Sequence, residues 1–218
     1  MEKSVVSPAT SLRLLRAGDS WIYAVAGSLA APGAGALELN GEIAVSIVED
    51  RLAGRADWMT ILFSQRFEIT QRDGSRQPMP APEWMFSFIQ DSTTRDLSIV
   101  ADNMTKDGTA RIAKEPQVFY PGTWSLQTAY NNRLEFNNGD EVKNTLTVFD
   151  CEQVDTEAGS FVSWVATISS QSAGTGLIEG KDWWTPDLGA PAQFSTSSTM
   201  PEGSRMRFVA TLRSSNVR

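Results

Sequence analysis

Residues 124–148 have the sequence WSLQTAYNNRLEFNNGDEVKNTLTV and carry the main signals from which the fold can be predicted. Within this stretch, Asn138-Gly139 is a dipeptide suited to the positive φ angles of a tight hairpin turn. On both sides of the turn, side chains of one face recur at even spacing, as in a strand with one buried face. These positions are Trp124, Leu126, Thr128 and Tyr130 before the turn, and Val142, Leu146 and Val148 after it. The stretch therefore predicts two antiparallel strands.

Two further stretches show the same period of two. In residues 161–169, the more apolar face carries Val162, Trp164, Ala166 and Ile168. Near the end of the chain, apolar and basic side chains alternate: Met206, Phe208, Ala210 and Leu212 against Arg205, Arg207 and Arg213. Both stretches predict half-buried strands, the second with its basic residues facing solvent. We expect about five strands in each half of the chain and helix in under about a tenth of the residues, well below the usual third.

Landmarks of the first half of the chain recur in the same order in the second half, roughly a hundred residues later. The pairs are Leu14–Trp21 with Val118–Trp124, Leu37–Gly41 with Leu134–Gly139, Val48–Asp50 with Val148–Asp150, Ala53-Gly54 with Ala158-Gly159, Trp58–Gln65 with Trp164–Gln171, and Glu83-Trp84 with Asp182-Trp183. This ordered series predicts an internal duplication. Residues 12–104 and 116–200 should superpose, with the Trp58 and Trp164 strands at equivalent positions.

The predicted architecture is all-β, with two tandem antiparallel β-meander repeats of about 100 residues each. The first repeat spans residues 1–104, a linker spans residues 105–115 and the second repeat spans residues 116–218. The repeats are expected to pack as a sandwich or a half-barrel. Residues 104–114, around Gly108, are the single stretch in which we expect a helical turn.

Histidine is absent from the 218 residues. Its absence excludes Ser-His-Asp and Cys-His catalysis, histidine zinc sites and histidine general bases. Carboxylate, Lys or Tyr chemistry and oxygen-ligand metals stay open. Cys151 is the only cysteine, so it has no partner for an intramolecular disulfide, and we interpret it as a half-buried strand residue rather than a nucleophile. We predict no catalytic residues, no cofactor and no metal site.

The formal net charge of −7 disfavours binding to nucleic acid, whose phosphates require a patch of Lys and Arg. The densest basic segment, residues 205–207, has the pattern of the outer face of a strand. No transmembrane segment is visible, and we recognise no signal peptide in the chain as given. The expected partners are therefore a lipid, a glycan or another protein.

Three motifs of the second half carry a resemblance to known proteins. They are Phe119-Tyr120-Pro121-Gly122-Thr123-Trp124, then Ala158-Gly159-Ser160-Phe161, then Asp182-Trp183-Trp184-Thr185-Pro186-Asp187-Leu188-Gly189. Over about 85 residues this pattern resembles a group of uncharacterised bacterial cell-envelope β proteins, loosely similar to the half-barrels of periplasmic lipoprotein carriers. The first half departs from the pattern, because its residues 84–86 are not followed by the Pro and Gly that complete the last motif of the second half. The resemblance implies an extended antiparallel sheet and an extracytoplasmic location, in the periplasm or at the cell surface.

Trp183-Trp184 is the local feature that best suits a binding site. Adjacent residues of a strand point to opposite faces, so one indole should enter the core while the other does not. An outward indole near Pro186 could stack on a sugar ring or line an apolar groove. We predict that a ligand site, if there is one, uses one of these indoles with support from Tyr130 on a neighbouring strand. The competing interpretation is that both indoles are structural.

Three other motifs are weaker. Gly174-Thr175-Gly176 superficially resembles a phosphate loop, but it lies between predicted strands and lacks the helix that such a loop requires. Residues 137–141 have the oxygen side chains of a calcium loop without its spacing, so we interpret them as a turn. Asp182 with Asp187 or Glu179 could act as a carboxylate pair in glycoside hydrolysis, although 26 acidic residues make such proximity common.

The function that the sequence favours is therefore non-catalytic binding of an apolar ligand, a glycan or a partner protein by an envelope-associated β protein. One alternative is a structural or assembly module whose strand edges pair with a partner. Another is a histidine-free glycan-active hydrolase that uses two carboxylates. An apolar concave face lined by Trp would favour binding, a flat polar surface would favour assembly, and converging carboxylates would favour the enzyme.

Overall fold

The computed structural model describes residues 8–33, 35–105, 107–172, 176–199 and 203–217. These residues form strands and loops and no helix, which confirms the all-β prediction and the low helix content. None of them forms a helix able to cross a membrane. The strands are β1 (Ser20–Ala30), β2 (Leu37–Glu49), β3 (Met59–Thr70), β4 (Arg76–Met79), β5 (Trp84–Gln90), β6 (Leu97–Asp102), β7 (Arg111–Tyr120), β8 (Ala129–Glu135), β9 (Glu141–Thr156), β10 (Gly159–Ser172), β11 (Gly176–Thr185), β12 (Ala190–Thr199) and β13 (Arg205–Asn216).

All thirteen strands belong to one antiparallel sheet, in the order β7-β6-β5-β3-β2-β1-β13-β12-β11-β10-β9-β8, with β4 paired to β3. Neighbouring strands mostly follow each other in the chain, so the predicted meander is confirmed. The first and last strands, β1 and β13, pair along their full length and unite the two halves. The sheet curls until β7 approaches β8. The result is a nearly closed, barrel-like sheet rather than a sandwich of two repeats.

The seam between β7 and β8 is where the two ends of the sheet meet. One isolated backbone bridge joins Ala113 to Phe136. Farther along the seam, side chains replace backbone pairing: Asn132 Nδ2 donates to the Val118 carbonyl at 2.6 Å, and Asn144 Nδ2 donates to Asn132 Oδ1 at 2.9 Å. The closure therefore depends on polar side chains as well as on strand pairing.

The hairpin turn predicted at Asn138-Gly139 is confirmed. The Phe136 N–H donates to the Asp140 carbonyl at 2.9 Å, and Gly139 has a φ of +89°, which favours glycine. The strand before the turn is shorter than predicted, because β8 begins at Ala129. Trp124, Leu126 and Thr128 therefore lie in the preceding loop, and the alternation proposed for them is wrong.

Asn40-Gly41 is not a turn, although it has the same dipeptide sequence. It lies inside β2, where a Cβ on Gly41 would be 2.1 Å from the Arg66 carbonyl oxygen. Gly27 in β1 is equally restricted, because its Cβ would lie 2.1 Å from the carbonyl oxygen of Arg207. These glycines permit a close backbone approach between strands, a common role for glycine where a sheet bends sharply.

The predicted duplication has no residue-level confirmation and stays a prediction. On the sheet path, the predicted first repeat contributes five strands and the predicted second repeat six, β8–β13, while β7 crosses from the linker into the second repeat, and the landmarks do not coincide. Asn40-Gly41 is in a strand while Asn138-Gly139 is in a turn, and Trp58 precedes β3 while Trp164 lies inside β10. Within the predicted linker 105–115, β7 already begins at residue 111 and no described residue is helical.

The pattern predicted for the last strand is confirmed in β13, where buried and exposed residues alternate from 205 to 210. Its buried side chains join a single core that fills the inside of the curled sheet. The basic outer face and the apolar inner face of β13 therefore both follow from the two-residue period of a strand.

The segment before β1 covers one end of the sheet interior. The Leu12 N–H donates to the Gly122 carbonyl at 2.8 Å, and the Trp124 N–H donates to the Thr10 carbonyl at 2.7 Å. Leu15 is buried against the interior. This segment and the loop after β7 therefore close one end together.

Candidate functional site

A cavity of about 220 Å³ lies inside the curled sheet. Its walls come from both halves of the chain: from β1, β2 and β3 on one side, and from β10, β11 and β12 on the other. Most of the lining side chains are aliphatic or aromatic. The aromatic ones are Trp21, Tyr23, Phe63, Tyr120, Trp184 and Phe194. An apolar concave space with few polar groups is the usual form of a small-molecule site.

The cavity has a deep end and a more exposed side. At the deep end, Trp21, Tyr23 and Leu97 are each exposed by 2% or less. On the other side, the lining residues Phe63 and Ile178 are partly exposed to solvent. Ile168 and Thr196 are partly exposed as well, so the open side, or mouth, of the cavity spans strands β3, β10, β11 and β12.

Trp184 points into the sheet interior and lines the cavity. Its indole stacks on Tyr120, with ring centroids 4.4 Å apart, and lies nearly parallel to the Trp124 indole, 5.5 Å away. Only 5% of the residue is exposed. Trp184 is thus both a core residue and a wall of the cavity.

Trp183 points to the outer face of the sheet. Its Nε1 donates to Glu152 Oε2 at 2.8 Å, and Lys181 Nζ lies 4.3 Å from the ring centroid. The two adjacent indoles therefore have opposite orientations, as the strand geometry predicts. The outer indole is covered by side chains of its own chain, while the inner one faces the cavity.

Tyr130 does not join the Trp pair. It lies on β8, which is separated from β11 by β9 and β10, so the expectation that it is on a neighbouring strand is wrong. Its side chain lines a separate small recess with Phe119 and Asn132 at the seam. This separation was not predicted, because the sequence does not show how many strands lie between the two residues in the sheet.

Asp182 is the unusual residue of the cavity. It lies on the same face of β11 as Trp184, and the residue is 8% exposed. Its strand neighbours, Ala166 on β10 and Phe194 on β12, have no polar side-chain atoms. No described residue donates a hydrogen bond or a positive charge to the carboxyl. Burial consequently raises its pKa to about 7.

Two phenols approach Asp182 from other strands. Burial and the nearby Asp182 carboxyl raise the pKa of Tyr23 and of Tyr120 above the ordinary tyrosine value. Both phenols therefore stay neutral at physiological pH. The Tyr23 hydroxyl donates to the Pro191 carbonyl at 2.9 Å, so its proton is already used.

The other candidate motifs do not form a site. Glu179 faces outward from β11 and Asp187 is exposed in the following turn, whereas Asp182 points inward. The proposed carboxylate pairs are therefore wrong. Residues 174 and 175 of the glycine motif lie outside the described residues, and Gly176 is the first residue of β11. No group of three possible metal-ligating Cys, Asp or Glu side chains occurs in the described residues.

Sequence reasoning considered Asp182 only as half of a carboxylate pair. A signal for its true position was present in the alternation of β11, which places residues 178, 180, 182 and 184 on one face. That face carries Ile, Gly, Asp and Trp, so a carboxylate interrupts an otherwise apolar row. Only the tertiary structure shows that the strands across the cavity give the Asp182 carboxyl no partner.

Asp182→Asn is expected to stabilise the protein at high pH. The pKa of Asp182 is about 7 in the folded state against 3.8 for an unperturbed Asp, so the wild type loses stability as pH rises from about 4 to 7 and the loss is complete above that window. The loss could reach roughly 4 kcal/mol. Because a buried amide also has a desolvation cost, we expect a net gain of about 1–3 kcal/mol at pH 8 and little difference near pH 4.

Urea unfolding of both proteins across this pH range measures the effect. The exposed Asp187→Asn is the matched control and should change stability by less than about 0.5 kcal/mol. A gain for Asp182→Asn that does not vary with pH would contradict a buried, unpaired carboxyl.

No protein family model matches the chain, and no curated protein matches it significantly. Two solved structures are similar to it. A candidate exported protein with a YmcC-like fold from Bacteroides fragilis NCTC 9343 is 9% identical, with 95% of this chain and 100% of that chain covered and a TM-score of 0.42. A candidate lipoprotein from Parabacteroides distasonis ATCC 8503 is 10% identical, with 95% and 99% covered and a TM-score of 0.40.

Proposed function

We propose that this protein is a non-catalytic binding protein that holds a small apolar ligand inside its curled sheet. The observation that supports the proposal most is the cavity of about 220 Å³ with a mainly aliphatic and aromatic lining. Its volume is somewhat below the range of about 300–1,000 Å³ for sites that hold drug-sized ligands. A single aromatic ring or a short alkyl chain is therefore the expected scale of ligand.

An empty apolar cavity is energetically costly, which favours its occupation by a ligand. Unfilled volume in a core costs about 24 cal/mol per Å³, so a space of this size costs on the order of a few kcal/mol. Water gains little there, because apolar walls offer few hydrogen bonds. An apolar ligand that fills the space recovers dispersion contacts and removes its own surface from water.

The same lining favours an apolar ligand over the glycan that the sequence left open. A sugar requires several hydrogen-bonding groups around its ring, whereas the polar side-chain groups of this wall are few: those of Asp182, Ser195, Thr196 and the two tyrosines, and the indole N–H groups of Trp21 and Trp184. The outward indole, which could have stacked on a sugar, already contacts Glu152 and Lys181. A hydrolase with two converging carboxylates is not favoured, because Asp182 is the only carboxylate among the described residues that line the cavity.

The location of the protein in the cell envelope stays a prediction from the sequence resemblance. Binding inside the cavity does not depend on it. The assembly alternative would instead use strand edges, and the free edges at the seam are short and partly satisfied by Asn132 and Asn144.

A bulky residue at the mouth should block binding. We expect Ile178→Trp to weaken binding of toluene, a neutral probe with a single aromatic ring, at least about tenfold, because Ile178 lines the cavity from β11. Calorimetric titration of the folded protein with this probe measures the affinity.

The adjacent Leu177→Trp is the matched control. Leu177 is 38% exposed and does not line the cavity, so the same substitution there adds an indole without obstructing the mouth. Equal affinities of the two variants, or an absence of probe binding by the wild type, would refute the proposed function. Thermal unfolding of both variants checks that they are folded.

A further inference from the structure

The cavity wall is mostly apolar but carries one acidic side chain. Among the described residues that line it, Asp182 is the only one with a formally charged side chain, and no Lys or Arg reaches the wall. More than nine-tenths of Asp182 is buried, and its carboxyl is directed into the cavity without a partner. A buried carboxylate is costly unless a positive charge or hydrogen-bond donors compensate it. Because no described residue supplies that compensation, the carboxyl either takes up a proton, as its raised pKa of about 7 reflects, or is neutralised by a bound cation.

The rings around the cavity have a complementary property. Trp21, Tyr23, Trp184 and Phe194 line the same space as Asp182. The faces of aromatic rings carry partial negative charge and attract cations, and several rings together form the cages that hold organic ammonium groups. Carboxylate and ring faces thus favour the same kind of ligand.

We propose that the ligand of this cavity is an organic ammonium, whose apolar body fills the aromatic space while its positive charge is neutralised by the Asp182 carboxylate. This inference rests on the proposed function and specifies the ligand class of the same site. One positive charge and one apolar body define that class.

Other ligand classes match the wall less well. An anion would meet the Asp182 carboxylate with no Lys or Arg to offset the repulsion. A metal ion needs several oxygen ligands, and the wall provides one carboxylate. A neutral alcohol could donate one hydrogen bond, but it would leave the buried negative charge uncompensated.

Binding of an ammonium ligand is expected to depend on pH through Asp182. The other titratable groups that face it are Tyr23 from β1 and Tyr120 from β7, and both phenols are neutral at the pH values that matter. Lys181 and Glu152 lie on the outer face. Affinity should therefore fall as pH decreases and Asp182 becomes protonated, whereas affinity for a neutral ligand should not.

The experiment compares ligands that share a phenylethyl body on the folded 218-residue protein by calorimetry. The ligands are 2-phenylethylamine, the neutral 2-phenylethanol and the anionic 3-phenylpropanoate. At about pH 8.5 we expect the ammonium to bind at least about tenfold more tightly than the alcohol, and the anion to bind most weakly. At about pH 5 the preference for the ammonium should be lost.

Asp182→Asn keeps the shape of the side chain and removes its charge. It should abolish the ammonium preference while it preserves binding of the alcohol and of toluene. The pH dependence of the wild type tests the same point without any substitution.

The ammonium proposal is overturned if the alcohol binds as tightly as the ammonium at about pH 8.5, if Asp182→Asn retains the preference, or if no ammonium binds to a protein that still binds the toluene probe. Failure of the proposed function gives a different result, in which neither the probe nor any phenyl ligand binds.

Discussion

Trp184→Ala is expected to lower the free energy of unfolding by about 3–5 kcal/mol, and Trp183→Ala by only about 1 kcal/mol or less. Trp184 is 5% exposed and stacks on Tyr120 and Trp124, so its removal leaves a large void beside these two rings. Trp183 lies on the outer face, is partly exposed and contacts Glu152 and Lys181 there.

Because the two residues are adjacent and have the same side chain, each serves as the control for the other. Urea unfolding of both variants gives the two free energies. Their fluorescence also separates the roles, since a ligand in the cavity should perturb emission in Trp183→Ala as in the wild type. If both substitutions destabilise equally, the assignment of one inward and one outward indole is wrong.

Arg111→Met is expected to cost about 3–5 kcal/mol, since it leaves a buried carboxylate without its partner. Arg111 Nε donates to Asp102 Oδ1 at 2.7 Å, and the side chain of Arg111 is only 3% exposed. A second nitrogen contacts Asp140 at 3.2 Å, and the guanidinium lies 4.0 Å from the centroid of the Phe136 ring. Arg111 therefore joins β6 and β7 to the turn after β8, across the seam.

Arg133→Met tests the same chemical change on the surface. Arg133 is 60% exposed and pairs with Glu135 and Glu141, which are 48% and 29% exposed, so its loss should cost less than about 1 kcal/mol. Adding Asp102→Leu to Arg111→Met removes the orphaned charge and should restore part of the lost stability. Equal effects of the two Arg substitutions in urea unfolding would show that the buried ion pair does not stabilise the seam.

Local patterns predicted much of the fold, and their failures have identifiable causes. The turn at Asn138-Gly139 and the two faces of β13 depend on neighbouring residues, so they were predicted correctly. Asn40-Gly41 has the same dipeptide but lies inside β2, because the pairing of β2 with β1 and β3 outweighs the local turn preference. Leu126 follows the apolar alternation, yet it is 55% exposed in a loop.

The candidate site was predicted only in part. Adjacent strand residues must face opposite ways, which is why the sequence already divides Trp183 from Trp184. It does not say which of the two faces inward, because that depends on the direction in which the sheet curls. The choice of Tyr130 as a supporting residue failed for a different reason: its strand lies three positions from β11 in the sheet, and the sequence does not show strand order.

By itself, the sequence determined the strand content, several turns, the alternation of buried and exposed side chains, and the exclusion of histidine chemistry. These properties follow from a two-residue period and from composition, and neither requires contacts between distant residues. The tertiary structure alone decided that thirteen strands form one sheet, that β1 pairs with β13, and that the apolar face of β11 meets residues of β1 and β7 around a cavity. Asp182 became a candidate ligand-binding residue only in the tertiary structure. Whether its carboxylate has a partner depends on which side chains the closed sheet places across the cavity from it.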